Sequence, residues 1–229
     1  MCRMFGLAAT HPVSAADLLR DAPRSLRELS REHADGWGIA LHRGGRWSVE
    51  RDTQPAATSA RFDAVAATDA SVVIAHVRKK TVGPTAIANT HPFTRDQLVF
   101  AHNGTVANLA AITARTAPEH AAAVAGDTDS ERLFAFVLTH IDEAGDVARG
   151  VAAAVRALHV IADIGSINFL LSCGHRLYAH RLGRSLFVAH RRDMAIVASE
   201  PATADETWRE LADGALVILD PPAAPALAA

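Results

Sequence analysis

Cys2 stands directly behind Met1. Removal of that one methionine would leave a cysteine whose own α-amine is free, so that a nucleophile and a base share a single residue. The thiolate is the reactive form of cysteine, and an α-amino group with an unperturbed pKa of about 7.7 to 8.0 is poised to take its proton near neutral pH. N-terminal nucleophile chemistry needs only this pairing. A second cysteine, Cys173, lies beside Gly174 at an expected turn and is read as a passive small residue. Two cysteines in 229 residues fit a reducing compartment better than a disulfide scaffold, and a bridge between these two would destroy the nucleophile.

Composition narrows the partners. Lys and Arg number 23 against 25 Asp and Glu, so no charge excess points to nucleic acid or to a membrane surface, and a small molecule is the expected partner. Residues 5–9 are too short and too little charged for a signal peptide, and no apolar run approaches the roughly 18 to 20 residues of a membrane span; the expected location is the cytoplasm. Twelve histidines occur, yet none forms His-x-x-x-His with a completing carboxylate, and Gly44-Gly45 has no helix behind it to cradle a phosphate. The expectation is therefore no metal and no cofactor.

The elements that must position the nucleophile can be read from periodicity. Residues 3–9 form a short apolar strand that holds Cys2 at a sheet edge, and residues 17–31 form one or two helices interrupted at Pro23. Strands at 36–42 and 47–51 meet across Gly44-Gly45, and the β-branched run 72–77 is a buried strand. A Gly, Pro and Asn rich loop follows. The strand 97–102 is expected to end at Asn103-Gly104, a pair that tolerates positive φ and marks turns. Helices are expected over 127–138 and 147–162, and four strands over 167–172, 177–181, 186–189 and 195–199. The basic runs 176–184 and 190–192 read as solvated faces of hairpins. Strands, a helix pair and strands again predict layers around a sheet core in one domain, residues 2–220, with a loose tail over 221–229.

Five further islands follow Cys2 in order: Asp35-Gly36-Trp37-Gly38, Ala75-His76-Val77-Arg78, Asn89-Thr90-His91-Pro92-Phe93, Ala101-His102-Asn103-Gly104 and Gly126-Asp127-Thr128-Asp129-Ser130-Glu131. Together with Cys2 they resemble the class II glutamine amidotransferases of the N-terminal nucleophile hydrolase superfamily, in the small stand-alone type, which the strands around Asn168-Phe169 also resemble. The resemblance implies an α+β fold, a four-layer αββα sandwich of two antiparallel sheets between helix layers. It also implies hydrolysis of the γ-amide of glutamine, or of a γ-glutamyl compound, through a Cys2 γ-glutamyl thioester.

The implied roles have a physical counterpart. A glutamine site must match an α-carboxylate, an α-ammonium, an amide and the oxyanion formed on attack. Arg78, at the end of a buried strand, can grip the carboxylate through its planar fork, with a surface salt bridge as the ordinary alternative. Asn103 and Gly104 match the oxyanion hole, and Asp129 matches the aspartate that binds the ammonium. Asp127 is read as the cap of the following helix, and the two aspartates can be exchanged in this assignment. His91 and His102 match histidines near the pocket, more often structural than catalytic, and Asp35 to Gly38 shape a tight loop beside the nucleophile. After Arg78 the larger synthase-linked enzymes have an aromatic residue and later a histidine, whereas this chain reads Lys79-Lys80-Thr81-Val82-Gly83. Thr81 can still bond the substrate carboxylate, but the gate expected for an ammonia tunnel is missing. Three readings follow: an ammonia donor to a separate synthase subunit, an independent γ-glutamyl hydrolase of a thiol-biosynthesis type, and a non-catalytic glutamine-binding module.

Overall fold

The computed structural model describes residues 2–204 and 207–222. Met1 and most of the expected tail, from residue 223 on, lie outside the described residues. In chain order the strands are β1 (Arg3–Val13), β2 (Trp37–Arg43), β3 (Arg46–Asp52), β4 (Ala70–Val77), β5 (Phe93–Arg95), β6 (Leu98–Val106), β7 (Gly165–Ser172), β8 (Leu177–His180), β9 (Phe187–His190), β10 (Met194–Ala198), β11 (Arg209–Glu210) and β12 (Leu216–Leu219). The helices are α1 (Leu26–Leu29), α2 (Ala60–Ala66), α3 (Leu109–Thr113), α4 (Pro118–Ala122), α5 (Asp129–Ala144) and α6 (Val147–His159). A single π-helical turn, Asp17–Asp21, precedes Pro23 and α1.

Period-two alternation sorts these strands into layers. Along β1, Phe5, Leu7 and Ala9 face one way and meet Leu18, Leu19, Leu26 and Phe62 of the π-helical turn, α1 and α2. Met4 and Ala8 face the other way, where Val72 and Ile74 of β4 join them against Val99, Ala101, Leu170 and Leu177 of a second sheet. That second sheet buries its far side, including Phe100, Phe169 and Leu171, under Phe134 and Phe136 of α5 and Val151 and Val155 of α6. Three apolar layers separate four structural ones, in the order helices, sheet, sheet, helices. Among the described residues the first sheet runs β11-β9-β10-β1-β4-β2-β3 and the second β12-β8-β7-β6-β5, with antiparallel neighbours throughout.

α5 starts at Thr128, whose hydroxyl accepts from the Glu131 amide at 3.3 Å, and ends at Gly145 with φ 61°, the left-handed conformation that satisfies terminal carbonyls. Asp127 is therefore not the cap. It precedes the cap, and its backbone N–H donates to Asn89 Oδ1 at 2.8 Å. A second correction concerns Asn103-Gly104. The pair lies inside β6, opposite Asn168 and Ile167 of β7, and the strand continues to Val106. The turn that joins β5 to β6 sits at Asp96, φ 50°. Asn-Gly is turn-prone as a dipeptide, but cross-strand pairing with β7 outweighs that local preference. The basic runs are also not simply solvated: Arg176 pairs with Asp220 at 2.8 Å and Arg181 with Glu210 at 2.8 Å, which ties the two C-terminal edge segments to the sheets. Short elements with too few residues to show a period, β5, β11, β12 and α2 to α4, were not foreseen.

Candidate active site

The register of two strands places the nucleophile. Arg3 pairs with Val77 and Met4 with His76, so one further step along each antiparallel strand sets Cys2 beside Arg78. Both lie on the face between the sheets, the side that Met4 and Ile74 also share. The start of β1 is fastened on three sides. Ser199 Oγ accepts from the Met4 amide at 3.0 Å, the Ser199 amide donates to the Met4 carbonyl at 3.0 Å, and Arg3 Nε donates to Glu200 at 2.6 Å. Cys2 Sγ lies 3.4 Å from both the amide nitrogen and the carbonyl oxygen of Lys79. Burial pushes the thiol pKa up, against the opposing pull of the Lys79 N–H and the Arg78 charge, so the thiol needs a base.

Around Cys2 a narrow cleft is lined by Arg78, Thr81, His91, Gly104 and Asp129, together with Lys79, Val82, His102, Thr128 and Ser130. Five of the expected residues besides Cys2 thus meet there, drawn from β4, the loop after it, the start of β5, β6 and the first turn of α5. Asp127 is exposed and does not line the cleft. Asn103 stands one residue behind it. Its Nδ2 donates to Ser199 Oγ at 3.2 Å, and its buried Oδ1 has no hydrogen-bond partner.

Arg78 is 3 % exposed, and its guanidinium donates to the carbonyls of Val82 at 2.9 Å and Pro84 at 3.1 Å. It therefore folds its own downstream loop over the cleft. Asn89 Nδ2 donates to the same Pro84 carbonyl at 3.0 Å, linking the loop to the Asp127 segment. The free volume inside the cleft is about 20 Å³, room for one water.

Asp129 sits in the first turn of α5, where the positive end of the helix dipole favours a carboxylate. One oxygen accepts from the Val106 amide at 2.7 Å and the other from the Ser130 amide at 2.9 Å. Gly104 has φ 149°, and a Cβ there would come within 1.9 Å of the Ser166 carbonyl, so the position demands glycine. Gly38 is equally constrained, since a Cβ would meet the His91 carbonyl at 2.1 Å. Asp35 accepts from the Lys80 amide at 2.8 Å, and the Arg78 amide donates to the Gly36 carbonyl at 2.8 Å, so the Asp35–Gly38 loop braces the segment after β4.

His91 and His102 are buried, and burial favours their neutral form. His102 bridges Ser130 Oγ at 2.8 Å and the Ser166 carbonyl at 3.3 Å, and burial lowers its pKa despite nearby Asp129. The second contact needs Nε2 to carry the proton, which leaves Nδ1 to accept from Ser130. His91 packs its ring 4.2 Å from His76 and 4.5 Å from Phe93, and burial holds its pKa well below the ordinary value. Sequence reading missed Ser199, which reaches the site from the end of β10 and carries no local motif. It also passed over the roles of Asn89, Thr128 and Ser130, although these stand inside the quoted islands. Among the described residues no group of three His, Cys, Asp or Glu is placed to hold a metal ion, and no helix is long and apolar enough to cross a membrane.

The family profile described as class-II glutamine amidotransferases matches residues 1–193. A putative glutamine amidotransferase of Haemophilus influenzae is 29 % identical over 95 % of this chain and 83 % of its own. A γ-glutamyl-hercynylcysteine sulfoxide hydrolase of Mycobacterium tuberculosis is 33 % identical over 95 % of this chain and 92 % of its own. In solved structures, glutamine phosphoribosylpyrophosphate amidotransferase from B. subtilis superposes with a TM-score of 0.71 at 20 % identity, over 96 % of this chain. The chain spans 47 % of that larger protein, which shares its fold, two antiparallel sheets packed between helix layers. The protein is an enzyme of the amidohydrolase and amidotransferase class, acting on glutamine or γ-glutamyl amides, and the chain belongs to the class II glutamine amidotransferases.

Proposed function

We propose that the protein cleaves the amide bond of a small γ-glutamyl compound through a covalent thioester on Cys2, releasing glutamate and an amine. The observation that carries this reading is the convergence of Cys2, Arg78, Gly104 and Asp129 on one cleft from four separate segments. Once Met1 is removed, the Cys2 α-amine takes the thiol proton, directly or through a water, and the sulfur attacks the γ-carbonyl carbon. The oxyanion forms against the Gly104 N–H and the Asn103 amide. Arg78 holds the α-carboxylate, with help from Thr81, while Asp129 holds the α-ammonium and His91 walls the pocket. When the C–N bond breaks, the leaving nitrogen takes the proton back. Water then adds to the thioester, the C–S bond breaks, and the thiol is restored. No metal or cofactor enters these steps.

An amine larger than ammonia is favoured as leaving group by the match, across nearly the whole of both chains, to a hydrolase of a γ-glutamyl thiol precursor. The loop after Arg78, which lacks an aromatic gate at Lys79, points the same way. The second reading is glutamine hydrolysis that feeds ammonia to a separate synthase subunit, and copurification of a synthase that raises glutaminase activity would favour it.

The test is intact-mass measurement before and after incubation with a glutamine-mimicking diazo ketone, with peptide mapping of the adduct. The expected result is a chain lacking Met1 that gains one adduct, on Cys2, blocked by excess glutamine or γ-glutamyl amide. Turnover retained by Cys2→Ala would overturn the mechanism.

A further inference from the structure

A larger cavity lies on the other side of β5 and the start of α5 from the catalytic cleft. Its volume is about 450 Å³, within the range of roughly 300 to 1,000 Å³ typical of small-molecule sites. Its walls come from β3, the 3-10 turn at residues 87–89, β5, and the face of α5 that follows Asp129. The apolar part is Ile87, Phe93, Phe134 and Leu138, and Ile87 is 46 % exposed, an uncommon state for a large aliphatic residue beside a cavity.

Two cations meet this apolar surface. Arg95 donates from Nη2 to the Ala123 carbonyl at 2.9 Å, while its Nε is buried without a partner. Arg51 donates to the Thr90 carbonyl at 3.3 Å. Both are held by backbone carbonyls, which orient a guanidinium but do not neutralise it. The one carboxylate in the wall, Glu131, accepts from the Ala125 and Gly126 amides at 2.9 and 2.6 Å, and its charge also acts on Arg51. The remaining titratable wall group, His120, is bound to Asp142 at 2.8 Å. Two positive forks with unused donors, above an apolar floor, form a recognition surface for a compact negative group on a hydrophobic body.

We infer that this cavity is a second binding site, distinct from the Cys2 cleft, for a small carboxylate or phosphate carried on an aromatic or branched apolar group. Its wall is continuous with the substrate loop. Ile87 and Ala88 immediately precede Asn89, whose side chain donates to the Pro84 carbonyl that Arg78 also binds. A ligand in the cavity thus rests against the turn whose Asn89 shares the Pro84 carbonyl with Arg78.

Calorimetric titration tests this with phenylacetate and phenyl phosphate, against 2-phenylethanol and acetate, which each lack one half of the recognised pattern. Protein whose Cys2 has been carboxymethylated is used so that the catalytic cleft is closed to the probes. The expected result is saturable binding of both aromatic anions with Kd in the range of about 1 mM or tighter, and much weaker binding of the alcohol and of acetate. Arg95→Gln should weaken phenylacetate binding about tenfold or more, and Ile87→Asp, at an exposed position that tolerates change, should do the same by repulsion. Absence of saturable binding, equal binding of 2-phenylethanol, or binding unchanged in both variants would overturn the assignment.

Discussion

Cys2 and Arg78 are neighbours on adjacent antiparallel strands, each one step beyond the pairing of Arg3 with Val77. A cysteine and an arginine separated by 76 positions are thereby fixed by backbone register. A slip of one residue in either strand would turn that strand's residue away from the cleft.

On the proposed mechanism Arg78 seats the substrate carboxylate, and it also holds the Val82 and Pro84 carbonyls, so Arg78→Lys should be costly although the charge is kept. An ammonium cannot reproduce a two-pronged contact, and a fall of about 100-fold in kcat/KM is expected, mostly through KM. Steady-state kinetics with a γ-glutamyl anilide reads this split. A lysine variant with near wild-type KM would show that the carboxylate is held elsewhere.

The two aspartates of the Gly126–Glu131 island separate cleanly by position, Asp129 lining the cleft and Asp127 exposed outside it. Asp129→Asn should lower kcat/KM about 100-fold by removing the ammonium's partner, and Asp127→Asn should change it by less than about threefold. The reverse pattern would exchange their roles.

Ser199 links the first strand to the oxyanion donor, since its Oγ accepts from both the Met4 amide and Asn103 Nδ2. Asn103→Ala should cost about 100- to 1000-fold in kcat. Ser199→Ala is expected to cost about tenfold in kcat with KM unchanged, because it loosens the amide without removing it. A Ser199→Ala variant altered only in thermal stability would restrict the serine to a structural part.

Acid should unfold the protein through histidines buried in the neutral form. Burial lowers His76 to about 3 and His180 to about 4, against 6.5 for the free side chain. Above pH 6.5 neither folded nor unfolded chain binds these protons. Between 6.5 and the lowered values the unfolded chain binds them and the folded chain does not, so stability falls as pH drops through that window. The slope is up to about 1.4 kcal/mol per pH unit for each histidine. Urea unfolding at pH 7.0, 6.0 and 5.0 measures it, and His180→Phe should flatten the dependence; a flat profile in the wild type would contradict the buried-neutral assignment.

Much of the molecule was legible in the chain. The Cys2 start and the five islands are short contiguous segments, so their resemblance to the class II glutamine amidotransferases could be read without the fold. The apolar run of residues 3–9, the β-branched run 72–77 and the helical spacing of 127–138 are likewise local signals, and they appear as β1, β4 and α5. The tertiary structure alone decided the rest, because it depends on pairing between distant segments. Asn103-Gly104 reads as a turn in isolation and becomes strand only against Asn168 and Ile167. Asp129 is separated from Asp127 only when Thr128 takes the cap and aims the helix start at Cys2. Ser199 joins the site because β10 lies beside β1, a relationship that no spacing along the chain encodes.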